Sequence, residues 1–414
     1  MSMPPDSRLA LEPASSSSAA HAPEALLSKP FVLMLCVQFC FGLSYSTFFL
    51  LPKFLAQSFH ANADTIGAVA STALFAGVLA VPFIGAIIDR HSRRSVIVLG
   101  ALANTLTAGA FAAVHSVAWP LFVLRAANGI SYALVFNGIV TWAADLAPAK
   151  KLGQAIGLCG AASMLANAVA PTVGESVADS HGWPWVFALG GAAALVSALL
   201  ALGIREQRAP QAVTASADHA AAPSALSLVL ERRRAGAFVC SMAAGAGFGV
   251  MFTFSQPFAL LLGAEKVSGL FLGYTACAVL VRLCLGSIAD RFGRRRIAFA
   301  ALVLYGLVVC MTSQLRPSLL FAFGAGMGVA HGLLYPALNA LAVDGVSRAR
   351  RGAVMTYFLG CFNGGFALCV FGMGLVAKSH GYPIVFLATG ILIWSALLFL
   401  PKAQRLGACP ANAA

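Results

Sequence analysis

GAIIDRHSRR, Gly85 to Arg94, returns about two hundred residues later as GSIADRFGRR, Gly286 to Arg295. Each copy places a glycine in an apolar run, closes the run with an aspartate (Asp89, Asp290) and follows it with a basic cluster. The clusters hold Arg90, Arg93 and Arg94 in the first copy and Arg291, Arg294 and Arg295 in the second. An apolar run that ends in a compact basic turn is the pattern of a segment leaving a membrane into water. Two such turns, at the same place in two apolar halves, indicate a duplicated membrane bundle with a moving seam.

The composition around these turns agrees. Of 414 residues, 59% are hydrophobic and 10% are charged, where a soluble domain carries about 25% charge. A formal charge of +13 would suit a nucleic-acid partner. The basic residues fall instead in short loops between apolar runs, which excludes nucleic acid and names the lipid bilayer as the surrounding partner. Nine of the ten cysteines lie inside apolar runs and the tenth, Cys409, lies in the tail, so they read as small packing residues. Cys36 and Cys40 stand one turn apart without a nearby His or Asp, a poor metal site. No GxxxxGK[ST] loop suggests nucleotide drive, and no Ser/His/Asp, HExxH or Cys/His pattern suggests an enzyme, so no metal or cofactor is expected.

Runs of roughly 20 apolar residues, enough to cross a bilayer, cover about 31–52, 65–88, 95–114, 118–144, 153–177 and 184–204. Six more cover about 236–262, 268–289, 296–314, 317–343, 352–377 and 382–401. The reading is an all-α membrane protein of twelve helices in two six-helix bundles, 30–204 and 236–404. A Ser/Ala/Pro-rich tail (1–29), a polar linker (205–235) and a short tail (405–414) complete the chain. The tail at 1–29 is not a secretory signal, because the apolar run after it is long enough to span. The halves align in register. HGWPWVF at His181 matches HGYPIVF at His380, and Gly129, Asp145 and Gly153 match Gly328, Asp344 and Gly352 at one offset of 199 (328−129, 344−145, 352−153). One offset held over three loops marks duplication.

At these residues a resemblance enters. The repeated turn resembles the signature loop between spans 2 and 3 of the major facilitator superfamily of transporters, and twelve spans in two sixes is that family's count. The second half is most similar to bacterial members that export sugars and drugs. The resemblance implies alternating access and makes Gly85, Asp89, Arg90, Arg93, Asp145, Gly286, Asp290, Arg291, Arg294 and Asp344 a gate that latches the outward-facing state. Ser92 stands where the second copy has Gly293 and is expected to restrict the turn. RAANG, Arg125 to Gly129, is similar to the family's span 4 signature, whose arginine is linked to proton transfer. GLCGAASMLANAVAPTVGE, Gly157 to Glu175, is similar to the antiporter motif. Gly157, Pro171 and Gly174 match, while Ala166, Ala170 and Glu175 replace glycines.

The polar residues inside spans are the other candidates. An arginine deep in a span costs roughly 3 kcal/mol on insertion scales, so Arg125 and Arg282 should face a cavity or a partner. Arg125, Asn128 and Tyr132 make one stripe on span 4, and His331, Tyr335 and Asn339 another on span 10. Gln38, Tyr45, Gln256 and Asn363 join them on spans that line the cavity in the resembling family. Proton-coupling candidates are Glu175, His331 and Arg125. His331 exchanges a proton near neutral pH, and Glu175 is either a proton carrier or a solvated rim residue. The expected function is secondary transport of a small organic solute by a monomer, as efflux against protons. A proton-coupled importer and a transporter-like receptor or sensor stay open as alternatives.

Orientation follows from charge. One set of loops holds Arg90, Arg93, Arg94, Lys150, Lys151, Arg291, Arg294 to Arg296, Arg348, Arg350 and Arg351; the other holds Lys53, Lys266, Arg316 and Lys378. The positive-inside rule puts both termini and the linker in the cytoplasm and the protein in the inner membrane. Single cysteines placed near Lys53, Val117 and Lys378 are expected to react with an impermeant thiol reagent in intact cells, and those near Arg93 and Arg295 are not. Labelling of the Arg93 loop from outside would overturn the topology.

Overall fold

Lipid offers no water to backbone N–H and C=O groups, so each apolar run must satisfy them internally and becomes a helix. The computed structural model describes residues 27–146, 151–204, 231–285, 288–347 and 350–400. Twelve helices in it are long and apolar enough to span, here numbered spans 1 to 12. The first six are Lys29–Phe59, Ala63–Ile88, Arg93–Phe111, Trp119–Ala143, Gly157–His181 and Trp183–Leu202. The second six are Arg234–Leu261, Ser268–Leu285, Arg294–Gln314, Pro317–Ala342, Arg351–His380 and Tyr382–Phe399. Large apolar side chains such as Leu79, Phe83, Leu106, Leu283 and Leu398 point outward, as lipid-facing residues do. Most of the two tails, most of the linker, and Gly286 lie outside the described residues, as do the side chains of Asp89 and Asp290.

The duplication extends to backbone conformation. Gly182 and Gly381, at the offset of 199 (381−182), end spans 5 and 11 with φ of +88° and +80°. Each is followed two residues later by a proline (Pro184, Pro383) within the first turn of the next span. The copies of the charged turn differ. Gly293 takes φ of +93°, whereas Ser92 has φ of −66° and caps span 3 by accepting the Ser95 N–H at 3.1 Å. The substitution therefore does not merely restrict the turn, because a capping hydroxyl replaces the glycine's conformational freedom.

Helix pairing repeats as well. Spans 1 and 5, 2 and 4, and 3 and 6 pack together in the first bundle, as spans 7 and 11, 8 and 10, and 9 and 12 do in the second. Between the bundles the main contacts are span 2 with span 11 and span 5 with span 8, again symmetry mates. The span 2/4 crossing depends on Gly129, where a Cβ would stand 2.0 Å from the Ala73 carbonyl oxygen; at the matching Gly328 it would stand 2.3 Å from that of Tyr274. Small residues at such crossings let backbones approach in lipid. Gly129→Val and Gly328→Val are each expected to lose well over 1–3 kcal/mol, the usual cost of overpacking, and to abolish monodisperse protein on size exclusion. Gly85→Ala, whose Cβ would meet nothing within 4 Å, should purify normally.

Candidate transport site

The two bundles are fastened where spans 1, 5, 7 and 11 end. Glu175 of span 5 accepts the Val267 and Ser268 backbone N–H groups (2.7 and 2.9 Å), which open span 8 in the other bundle. Lys53 pairs with the same carboxylate and donates to the Glu265 carbonyl at 2.8 Å. Both side chains of the pair are 1% exposed. Gln256 of span 7 donates to the Phe49 carbonyl (2.7 Å), and Lys378 of span 11 meets Asp64 of span 2 at 2.7 Å. Beneath them Gly67 and Gly374 bring spans 2 and 11 together, and a Cβ on Gly67 would stand 2.7 Å from the Val370 carbonyl oxygen.

At the opposite end the described residues show no hydrogen bond or ion pair between the bundles. A Cβ on Gly85, Gly157, Gly352 or Gly360 would meet nothing within 4 Å. Arg93 Nε lies 3.4 Å from Asp145 Oδ2, a contact inside the first bundle between side chains 29% and 38% exposed. Exposed pairs of this kind contribute roughly 0–1 kcal/mol, too little to hold two bundles. Arg93 also donates to the Ile88 carbonyl (2.6 Å). Arg90 and Arg291 are exposed, and Asp344 gives its backbone carbonyl to Arg234 at 3.3 Å.

Between the ends lies a polar interior. The buried Arg125 donates to Asn128 Oδ1 and sits 5.4 Å from the Phe48 ring centroid. Asn128 donates to Asn104 Oδ1 (2.7 Å) and Asn104 to Ser44 Oγ (2.8 Å), a chain across spans 4, 3 and 1. Asn128 is therefore fully buried inside the first bundle and does not line the cavity with its neighbours, because Asn104 takes its amide. Gln38 donates to Ser163 Oγ of span 5, another bond inside the bundle. Tyr45 lies beside the Arg125 guanidinium and stacks on Tyr132, centroids 3.9 Å apart. A cavity of about 50 Å³ opens there, walled by Tyr45, Phe48, Phe49, Arg125, Phe248 and Phe252 among others.

Phe248 continues that wall to the second bundle, with its ring 5.4 Å from His331. His331 is buried and stacks on Tyr335 at 5.4 Å. Arg282 lies within electrostatic reach of both. Asn339 and Asn363 are half-buried and form no side-chain bond among the described residues. On span 5 the helix runs through Pro171 unbroken, and Ala166, in a glycine's place, packs on Gly42 of span 1.

Two expectations need correction. Lys53 is not a loop cation, since the helix continues past Pro52 and buries it against Glu175. The topology test consequently rests on Val117 and Lys378. Glu175 is not a solvated rim residue either, because span 8 covers it. Asn104, Ser44, Asp64 and the cavity phenylalanines escaped sequence reading. The positions of Lys53 and Glu175, at corresponding ends of spans 1 and 5, were the available signal for the fastening.

A duplicated twelve-span bundle fastened across its seam is the architecture found in membrane transporters. The family comparison agrees, with the Major Facilitator Superfamily model matching residues 34–281 and 263–408. The chain belongs to that superfamily. It is 25% identical over 347 residues to the multi-drug resistance efflux pump PmrA of Streptococcus pneumoniae, covering 80% of this chain and 84% of that one. It is 25% identical over 334 residues to the multidrug resistance protein MdtG of Enterobacter lignolyticus, covering 79% of each. Among solved structures it superposes on the nucleoside transporter NupG with a TM-score of 0.73 at 16% identity, covering 91% of this chain and all of that one. A bacterial homolog of the human lysosomal transporter Spinster gives 0.71 at 15%, covering 92% and 97%.

Removing one partner of a buried ion pair costs about 3–5 kcal/mol, whereas an apolar replacement of both is often neutral. Glu175→Gln is expected to lower the melting temperature in detergent sharply. Lys53→Met combined with Glu175→Leu should recover most of the loss, and a double variant as unstable as the single one would contradict the assignment.

Proposed function

We propose that this protein is a secondary active exporter of a small organic solute, working by alternating access and driven by proton entry. The observation that carries the reading is the seam, fastened by Lys53, Glu175, Gln256 and Lys378 at one end. In this arrangement the fastened end faces outward and the opposite end faces the cytoplasm, as the basic loops require. The bundles 30–204 and 236–404 are the moving units, 205–235 the cytoplasmic tether and the inner membrane the site. Residues Gly85, Asp89, Arg93 and Asp145, with their counterparts in the second half, form the latch of the opposite, outward-open state. The relative named as an efflux pump, PmrA, supports export.

Proton coupling is assigned to Glu175 and His331. Protonating Glu175 would remove the charge that grips Lys53 and weaken two backbone contacts to span 8, so external acidity favours opening outward. His331, buried midway along span 10 beside Arg282, is the second ionisable group of the relay. Arg125 stays charged at any physiological pH and acts through its donors.

Everted membrane vesicles, acid inside, test this with a panel of anionic, neutral and cationic aromatic solutes. At least one should accumulate beyond vesicles lacking the protein, a protonophore should collapse the accumulation, and His331→Ala should abolish it. Accumulation that ignores both the gradient and the protonophore would rule out proton drive.

A further inference from the structure

The interior holds two cations without anions. Arg125 is 7% exposed, lines the cavity, and keeps Nε without a hydrogen-bond partner. Arg282 Nε is likewise buried without a partner, as is Nδ1 of His331 beside it. Among the described residues neither arginine forms an ion pair, and the buried glutamate, Glu175, is taken by Lys53 at the fastened end. Buried charges are normally paired, and an ionisable group inside a span points to function. A purely architectural Arg125 would be satisfied by Asn128 and the Phe48 face. The free Nε beside a cavity leaves a donor aimed at something not yet bound.

The two cations stand on opposite sides of the seam with aromatic rings between them. Tyr45 lies beside Arg125 and stacks on Tyr132; across the seam Tyr335, in the same bundle as Arg282, lies within electrostatic reach of both Tyr132 and Arg282. Phe48, Phe49, Phe248 and Phe252 supply an apolar wall. The cavity opens at these walls beside Arg125.

We propose that the cargo is an amphiphilic organic anion, an aromatic or otherwise apolar body bearing a carboxylate or sulfonate, held between Arg125 and Arg282. Guanidinium forks suit such groups by bidentate, charge-assisted bonds, and the phenylalanine and tyrosine faces suit the body. A lipophilic cation meets two positive charges and, among the described residues, no carboxylate beside them. A solute bound across both arginines neutralises charge on each bundle at once, which links occupancy to closure of the seam. This assignment rests on the transport reading for its meaning but not for its test.

The test is equilibrium binding to the purified full-length protein in nanodiscs, at fixed pH and salt. The probes are one skeleton in three charge states: 2-naphthoate, 2-naphthamide and 2-naphthylmethylammonium. Naphthoate should bind about tenfold or more tightly than either of the others. Arg125→Gln and Arg282→Gln should each erase that preference, and Arg282→Lys should retain part of it. Arg282 lies outside the Arg125–Asn128–Asn104–Ser44 chain, so its variants decide the matter if Arg125→Gln fails to fold. Tightest binding by the ammonium, no preference for naphthoate, or a preference that survives Arg282→Gln would overturn the proposal. Binding is independent of flux, so charge-selective binding without vesicle accumulation would sink the transport reading and leave this inference standing; accumulation of cations would do the reverse.

Discussion

One carboxylate joins the two halves of this protein. Glu175 belongs to span 5, yet two of its three described partners are backbone N–H groups that open span 8. The third, Lys53, also grips the Glu265 carbonyl beyond the seam. The pair is buried, so its attraction is little screened and its loss is costly. It also uses helix architecture, since the first N–H groups of a helix lack internal partners and favour an anion. Spans 2 and 11 close beneath it on Gly67 and Gly374, whereas a Cβ on Gly85 or Gly360 would meet nothing within 4 Å. The seam is thus a hinge whose closed side is polar and specific.

The polar interior follows from the same constraint. In lipid each buried donor needs a partner, and within the first bundle Arg125, Asn128, Asn104 and Ser44 satisfy one another in sequence. That chain fixes the arginine at the seam while leaving one donor over. The second bundle presents Arg282, His331 and Tyr335 from the other side. In the proposed mechanism a site divided between these two bodies senses their separation.

The sequence made the fold readable because a bilayer imposes length and hydropathy on each span, and because duplication writes each feature twice. The HGWPWVF and HGYPIVF pair marked equivalent helix ends that adopt the same positive-φ glycine turn. The repeated charged turn, Arg125, Arg282 and the His331 stripe stood out because charge and polarity are rare inside spans. Lys53 was misread because a lysine after Leu-Pro at the end of an apolar run looks like a loop residue, and its partner lies 122 residues away. Asn104 and Ser44 were missed for a related reason: single small polar residues in apolar helices carry no periodic signal. The cavity phenylalanines were hidden among 29 of their kind, and only packing distinguishes a cavity wall from a lipid face.

The central claim is that the fastened and opposite ends exchange roles. Spin labels at Asn62 and Ser379, both exposed across the fastened end, and at His91 and Arg295, exposed at the other, allow both distances to be measured by double electron–electron resonance in nanodiscs. The account predicts a short Asn62–Ser379 distance and a long His91–Arg295 distance for the protein as described. Glu175→Gln should lengthen the first and shorten the second together. Two distances that stay fixed in the variant, or that lengthen in concert, would contradict it.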